Sequence, residues 1–281
     1  MRKLSGVLTA MMVASAAMVS GQAPDARKVL ADMQAALGGV DKVAAVKTLT
    51  AKGTIKRVTP RGTTENETEL SMALPDKYVT RTVVAGKGSM AVFRNAGFNG
   101  DGLISQTDAP PNLAQGMRAR LGSDRVGGAA AREPSEEERA AAVQRQLLVA
   151  KRDFARLALG LLGSTYQGFP LQLTYGGEAE SGDGVAHIID ARGAGDFSAQ
   201  LFVDASSHLP LMVMWSTAGA GPNAGRMIER RIYYSDFTPV DGLNLPHTLR
   251  LAVNGNTTQE TTFTEIHVNQ NIDSKIFDIS K

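Results

Sequence analysis

The stretch Asp241-Gly242-Leu243-Asn244-Leu245-Pro246-His247-Thr248-Leu249-Arg250-Leu251-Ala252-Val253-Asn254-Gly255-Asn256 carries the decisive pattern. Leu243, Leu245, Leu249 and Leu251 fall on one face, opposite Asn244, Thr248 and Arg250, and the segment is bracketed by Asp-Gly and Asn-Gly turn dipeptides. Strict alternation between two tight turns specifies a half-buried antiparallel strand with one wet face. Leu171, Leu173 and Tyr175 oppose Gln172 and Thr174 in the same way.

Working outward, period two recurs along most of the chain. Strands are expected near residues 169–175, 185–190, 197–204, 209–216, 227–236, 243–253 and 258–268, with short Gly-rich connections at 176–177, 182–184, 241–242 and 254–256. Earlier strands are expected around 49–55, 65–74, 78–84 and 90–98, which makes eleven. Pro75-Asp76 turns the chain between two of them, and Asn99-Gly100-Asp101-Gly102 is the strongest hairpin signal.

Two helical passages interrupt this rhythm. Asp25 is placed to cap a helix through Val29, Leu30, Met33 and Leu37 that ends at Gly38-Gly39. Ser135 with Glu138 three residues on opens the only long helix, which carries Val143, Leu147, Phe154, Leu157 and Leu161 and stops at Gly163. Before it, residues 106–133 break into Pro110-Pro111, a short apolar helical piece at 113–121 and a Gly/Ala loop at 127–131. A large sheet must have its apolar face covered, and this insert, residues 106–165, is the material available. The expected fold is mainly β (α+β): a large curved antiparallel sheet closed by an N-terminal helix and a mid-chain helical lid.

Arg2 and Lys3 followed by the uncharged residues 4–19 have the layout of a signal peptide. The run is too short and too rich in small residues for a membrane span. Cleavage between Gly21 and Gln22 is expected, which places the mature chain in the periplasm or outside the cell. Removing residues 1–21 from 281 leaves 260, read as one domain, 22–281. The loss of Arg2 and Lys3 brings Lys+Arg from 30 to 28, equal to Asp+Glu at 28, so electrostatics supply no reason to expect nucleic acid. The chain has no cysteine, which excludes disulfides, thiolate metal sites and a cysteine nucleophile.

The order of landmarks resembles a known group. The Gly38-Gly39 helix end, Gly53 in the first strand, Leu74-Pro75-Asp76-Lys77-Tyr78, Phe98-Asn99-Gly100-Asp101-Gly102, the helical insert and the ending Asn269-Gln270-Asn271-Ile272-Asp273 with Phe277 are similar to the periplasmic lipoprotein-carrier superfamily. That superfamily includes the lipoprotein-sorting carrier and mycobacterial lipid-binding lipoproteins. Tyr234-Ser235-Asp236-Phe237 through Val240-Asp241-Gly242-Leu243-Asn244-Leu245-Pro246-His247 resembles a stretch of secreted relatives. The resemblance implies a half-open β-barrel whose concave face, shut by helices, holds acyl chains or another amphiphile. Where the carrier has a basic residue before its turn proline, which helps gate acyl-chain release, this chain has Leu74. That gate is therefore not carried over.

Candidate lining residues are Val79, Val83, Phe93, Leu147, Phe154, Leu157, Leu201, Val203, Met212 and Met214, since a lipid-like guest requires an apolar pocket and methionines adapt to variable shapes. The same residues would serve as well to fill a solid core. Arg230 and Arg231, beside Glu229, offer either an inward cation for an anionic head group or outward charges on a wet strand. His187, His208, His247 and His267 form no metal-ligand spacing, and Glu178 with Glu180 and Asp183 sits in a Gly-rich turn. No nucleophile elbow, phosphate loop or dinucleotide fingerprint occurs, and Gly86-Lys87-Gly88-Ser89 reads as a hairpin tip. No catalytic residue, metal or cofactor is assigned. The expected partners are a lipid or acylated molecule, envelope proteins and a transiently touched membrane surface, with the protein a monomer. The competing reading is a ligand-free interaction module that docks a partner through a sheet edge or residues 106–133.

Overall fold

A computed structural model describes residues 25–60, 62–111, 133–182, 184–219 and 221–278. The expected signal peptide, the apolar piece at 113–121 and the loop at 127–131 lie outside the described residues. No helix among the described residues is long and apolar enough to cross a membrane.

Helix α1 (Ala26–Ala36) starts where the Asp25 side chain accepts from the Arg27 N–H, and it buries Val29 and Met33 together with Leu37 just past its end. Gly38 and Gly39 then take positive φ angles that a side chain would resist. A short helix α2 (Val40–Ala44) leads into the sheet.

The strands are β1 (Thr48–Thr59), β2 (Gly62–Ala73), β3 (Lys77–Ala85), β4 (Val92–Asn99), β5 (Gly102–Asp108), β6 (Gln172–Ser181), β7 (Gly184–Gly193), β8 (Phe197–Asp204), β9 (Pro210–Ala218), β10 (Met227–Val240), β11 (Leu243–Val253) and β12 (Asn256–Val268). They form one antiparallel sheet in the order β5-β4-β3-β2-β1-β12-β11-β10-β9-β8-β7-β6. Every neighbour is a hairpin partner except β1 and β12, which join the two halves at the centre. A bulge at Lys52/Gly53 lets β12 press against β1, and a Cβ at Gly53 would collide with the Thr262 carbonyl.

Among the described residues, twelve strands replace the eleven expected. The addition is β5, an edge strand in which Ile104 alone is fully buried, so its period-two signal rests on one side chain. The helical insert accordingly begins only after Asp108, not at 106.

The edges β5 and β6 do not pair, so the barrel stays open, and the chain passes from one edge to the other through residues 109–171. That passage contains helix α3 (Glu136–Leu162), opened by the expected capping box of Ser135 and Glu138 and closed by Gly163 in the left-handed region. It packs on β4, β5, β8, β9 and β10, strands from both ends of the sheet, and so lies inside the curl. Its first turns are exposed, whereas everything from Phe154 to Leu162 is buried. Phe154 makes edge contacts with Phe98 and Tyr166 at 5.5 and 4.7 Å, and Phe169 and Phe197 extend the cluster. The convex face has a small core of its own, where Val79, Ile104 and Phe277 meet under the C-terminal segment.

Gly160 sets how closely α3 approaches the sheet, because a Cβ there would fall within the Tyr234 ring. Tyr234 in turn donates its hydroxyl proton to the Arg156 carbonyl, 3.3 Å away. Replacing a helical glycine by alanine ordinarily gains about 1 kcal/mol. Forcing the ring aside should outweigh that gain, so Gly160→Ala is expected to destabilise the fold by about 1–3 kcal/mol in urea unfolding. An unchanged or raised midpoint would show that the helix has slack.

Candidate functional site

Between α3 and the concave face lies a cavity of about 620 Å³, a size typical of small-ligand sites. Strand parity decides its walls. Ile55, Leu249, Leu251 and Phe263 come from β1, β11 and β12, and Ile232 from β10. The apolar face of β11 is thus divided along its length. Leu243 and Leu245 are packed solid at one end, whereas Leu249 and Leu251 are half-buried against open space at the other. Thr68, Thr80, Thr82 and Thr261 add polar wall; the Thr68 and Thr82 hydroxyls are 2.9 Å apart, and Thr80 donates to the Ala96 carbonyl.

Charge gathers where the middle of α3 crosses the cavity. The Arg156 guanidinium sits 4.6 Å over the Trp215 ring and 4.9 Å over the Phe197 ring, and its Nη1 donates to Asp153 Oδ1 at 2.8 Å. The aromatic faces compensate part of the lost hydration of this cation. Arg152 lies one turn earlier on the helix, and Arg230 lines the same space from β10. Neither Arg152 Nε nor Arg156 Nε has a hydrogen-bond partner, although both atoms are buried.

These groups move one another's protonation. Partial desolvation within the cavity raises the Asp153 carboxyl above the ordinary carboxylate range, although 60% of its side chain remains exposed, and the charges of Arg156, Arg230 and Arg152 only partly oppose the shift. Burial likewise lowers Arg156, with Asp153 acting against the shift. Arg57, also on the cavity wall, is lowered by burial and by the charge of Arg94. The Tyr78 hydroxyl is raised by burial and by Asp153, so it remains a neutral phenol.

Of the residues expected to line a pocket, Leu157 does so. Phe154, Leu147, Leu201 and Val203 are fully buried in the main core, Phe154 against the Tyr78 ring that itself reaches the cavity. Val79, Val83 and Phe93 alternate with Tyr78, Thr80 and Thr82 and so face the convex side, where the Arg81 guanidinium covers Phe93 at 3.7 Å. Met212 and Met214 alternate with Val213 and Trp215 and also point away. Apolar identity did not reveal the face, because the convex surface has apolar packing of its own.

Arg230 and Arg231 take one reading each. Arg230 is inward, whereas Arg231 turns outward to pair with Glu229 at 2.8 Å and donate to the Tyr233 hydroxyl. Glu178 and Tyr175 each contact His187 on the sheet at 3.3 Å, and Asp183 lies outside the described residues. No group of three potential metal ligands occurs among the described residues. Lys87 and Gly88 do fall in the β3–β4 connection. Arg152, Asp153, Arg156 and Trp215 were not anticipated. Their signal was Lys151-Arg152-Asp153-Phe154-Ala155-Arg156, charges set inside the apolar half of a helix.

A LolA superfamily protein from Nitrosomonas europaea superposes with a TM-score of 0.50 at 11% identity, over 91% of this chain and 98% of that one. The chain shares the fold of that protein. Looser overlaps are found with a candidate outer membrane lipoprotein-sorting protein domain from Vibrio parahaemolyticus (TM-score 0.49, 9% identity, 90% and 97% of the two chains) and a DUF1329 family protein from Desulfovibrio piger (0.47, 9%, 91% and 98%). No family model matches the sequence, and no curated protein matches it. The fold is therefore shared at a level where sequence is no guide to function.

The raised Asp153 carboxyl has a defined consequence for stability. The native state takes up this proton at a pH where the unfolded chain, with an ordinary value of about 3.9, has not. Stability relative to Asp153→Asn should therefore rise as the pH falls from about 7 towards 4. Urea unfolding of both proteins across that range checks the sign; a difference that falls on acidification would mean the arginines dominate.

Proposed function

We propose that the protein is an exported carrier that binds a lipid, an acyl chain or a related amphiphile between its sheet and α3, without covalent chemistry. The observation that supports this most directly is the cavity itself, about 620 Å³ lined on the sheet by Ile55, Ile232, Leu249, Leu251 and Phe263 interleaved with threonines, Gln259 and Arg57, and on the helix by Arg152, Asp153, Arg156 and Leu157. A sheet packed solid against its helix would leave no such space. A guest with an apolar body and a polar end fits both walls.

The fold gives a second line of support, because the carrier-type architecture encloses its contents between a curved sheet and helices. A LolA superfamily protein shares this fold. Export to the periplasm or beyond, with cleavage near Gly21/Gln22, belongs to the same reading, as does transient contact with a membrane surface when cargo is exchanged. A monomer suffices, since all walls of the cavity come from one chain.

The reading is tested by native mass spectrometry with organic extraction on the chain from residue 22, purified without detergent from a bacterial envelope. Co-purified lipid is expected. Leu249→Trp, which fills the cavity from β11, should abolish it while leaving the urea midpoint near that of the parent. A clean mass that also takes up no fluorescent fatty acid, or undiminished lipid in Leu249→Trp, would contradict the proposal.

A further inference from the structure

The cavity is electrically lopsided. Arg152, Arg156 and Arg230 share one end of it with Asp153, the only carboxylate on its walls among the described residues. Three permanent cations against one carboxylate, with Arg57 a fourth on the β1 wall, leave an excess positive charge in a space where charge is costly to hold. An ion pair retained only for structure would be matched, and apolar side chains of similar size would pack there at lower cost. Arg156 is the most constrained of the three. It is 7% exposed, clamped between two aromatic faces and tied to Asp153, yet its Nε has no partner, and neither has that of Arg152.

Strand register shows how polarity is laid out. Arg230 pairs with Trp215 across β10 and β9, directly below Arg156. One step further along the strands, Ile232 is opposite Leu251, and after another step Leu249 is opposite Thr261 and Thr261 opposite Ile55. Phe263 lies beyond them on β12, toward the end that Leu243 and Leu245 fill. The cationic cluster therefore sits at one end of a row of apolar side chains; Gln259 and Arg57, in register with Leu251, and the threonines Thr68, Thr80 and Thr82 line the rest of the sheet wall.

We infer that Arg152, Arg156 and Arg230 form a receptor for the oxyanionic head group, phosphate or carboxylate, of an amphiphile whose apolar part lies along Ile232, Leu249, Leu251 and Phe263. The inference rests on the reading of the cavity as a ligand site. Guanidinium groups match the oxygens of either anion through paired N–H donors, which an ammonium cannot do. A free anion would use the cluster and leave the apolar wall empty; a neutral lipid would leave the cations without partners. An amphiphile with an anionic head group satisfies both.

Trp215 is the only tryptophan in the chain and lies against Arg156, so its fluorescence reports on this end of the cavity. Delipidated protein is titrated with dodecyl phosphate, dodecanoate, the neutral isostere dodecanamide and inorganic phosphate, each kept below its micellar range. At least one of the two anionic amphiphiles is expected to bind about tenfold or more tightly than dodecanamide, and inorganic phosphate more weakly than either. Which of the two is preferred identifies the head group. Arg230→Gln is expected to weaken the anionic probes by about tenfold and leave dodecanamide unchanged, and Arg230→Lys to restore only part of the loss. Arg156 is buried enough that its replacement could disturb folding, so Arg152→Gln serves as the second variant, with the thermal midpoint as control. Equal binding of anionic and neutral probes, or equal loss of both in Arg230→Gln, would overturn the head-group assignment and leave the carrier reading standing. Inorganic phosphate binding as tightly as dodecyl phosphate would overturn the amphiphile. Failure of every chain-bearing probe to bind would remove the carrier reading, and this inference with it.

Discussion

The docking of the second half of α3 against the concave face is the interaction on which the rest depends. A twelve-stranded sheet whose edges do not pair has a curved apolar surface that water would otherwise wet. Phe154 to Leu162 cover part of it, with Gly160 allowing contact at Tyr234 and Phe154 set among Tyr78, Phe98 and Tyr166. Because the same segment connects the two edge strands, the helix also holds the two halves of the sheet in one curl. The central β1–β12 pair, tightened at Gly53, completes the frame.

The cavity exists because that docking is incomplete. From Leu157 back toward the N-terminus of the helix, the side chains that line the cavity are Arg156, Asp153, Arg152 and Val149, and the wall opposite carries threonines and half-buried leucines. Tight packing at one end positions the charged residues at the other. Arg156 belongs to both regions, since its aliphatic and planar parts lie on Trp215 and Phe197 while its donors serve the cavity. The stability of the lid and the polarity of the site are therefore coupled through a single turn of helix.

Much of the fold was legible in the sequence because alternation and turn residues act locally. Asn99-Gly100-Asp101-Gly102 located a hairpin, Asp241-Gly242 another, and Ser135 with Glu138 the start of α3. What escaped was β5, whose short edge buries one residue. The site was less legible. Alternation reports that two faces differ, but which one is concave depends on how the sheet curls and on what covers its back. Val79 looked like a pocket residue and belongs instead to the convex cluster with Ile104 and Phe277, a contact made across almost two hundred residues. Arg156 carried no motif, because its role comes from a helix-to-sheet contact with Trp215 and Phe197. Arg230 was the exception, flagged as a charge that could turn inward, and its neighbour Arg231 took the outward alternative.

We place the proposed guest in the space between α3 and the concave strands. A crystal structure of the chain from residue 22, purified with its guest from an envelope and never exposed to detergent, addresses this most directly. The account predicts continuous density for an amphiphile between α3 and β1, β10, β11 and β12, with its polar end at Arg156 and Arg230 and its chain along Leu249 and Leu251. A closed, solvent-filled or collapsed cavity with the guest bound on the convex face or at a strand edge would contradict it.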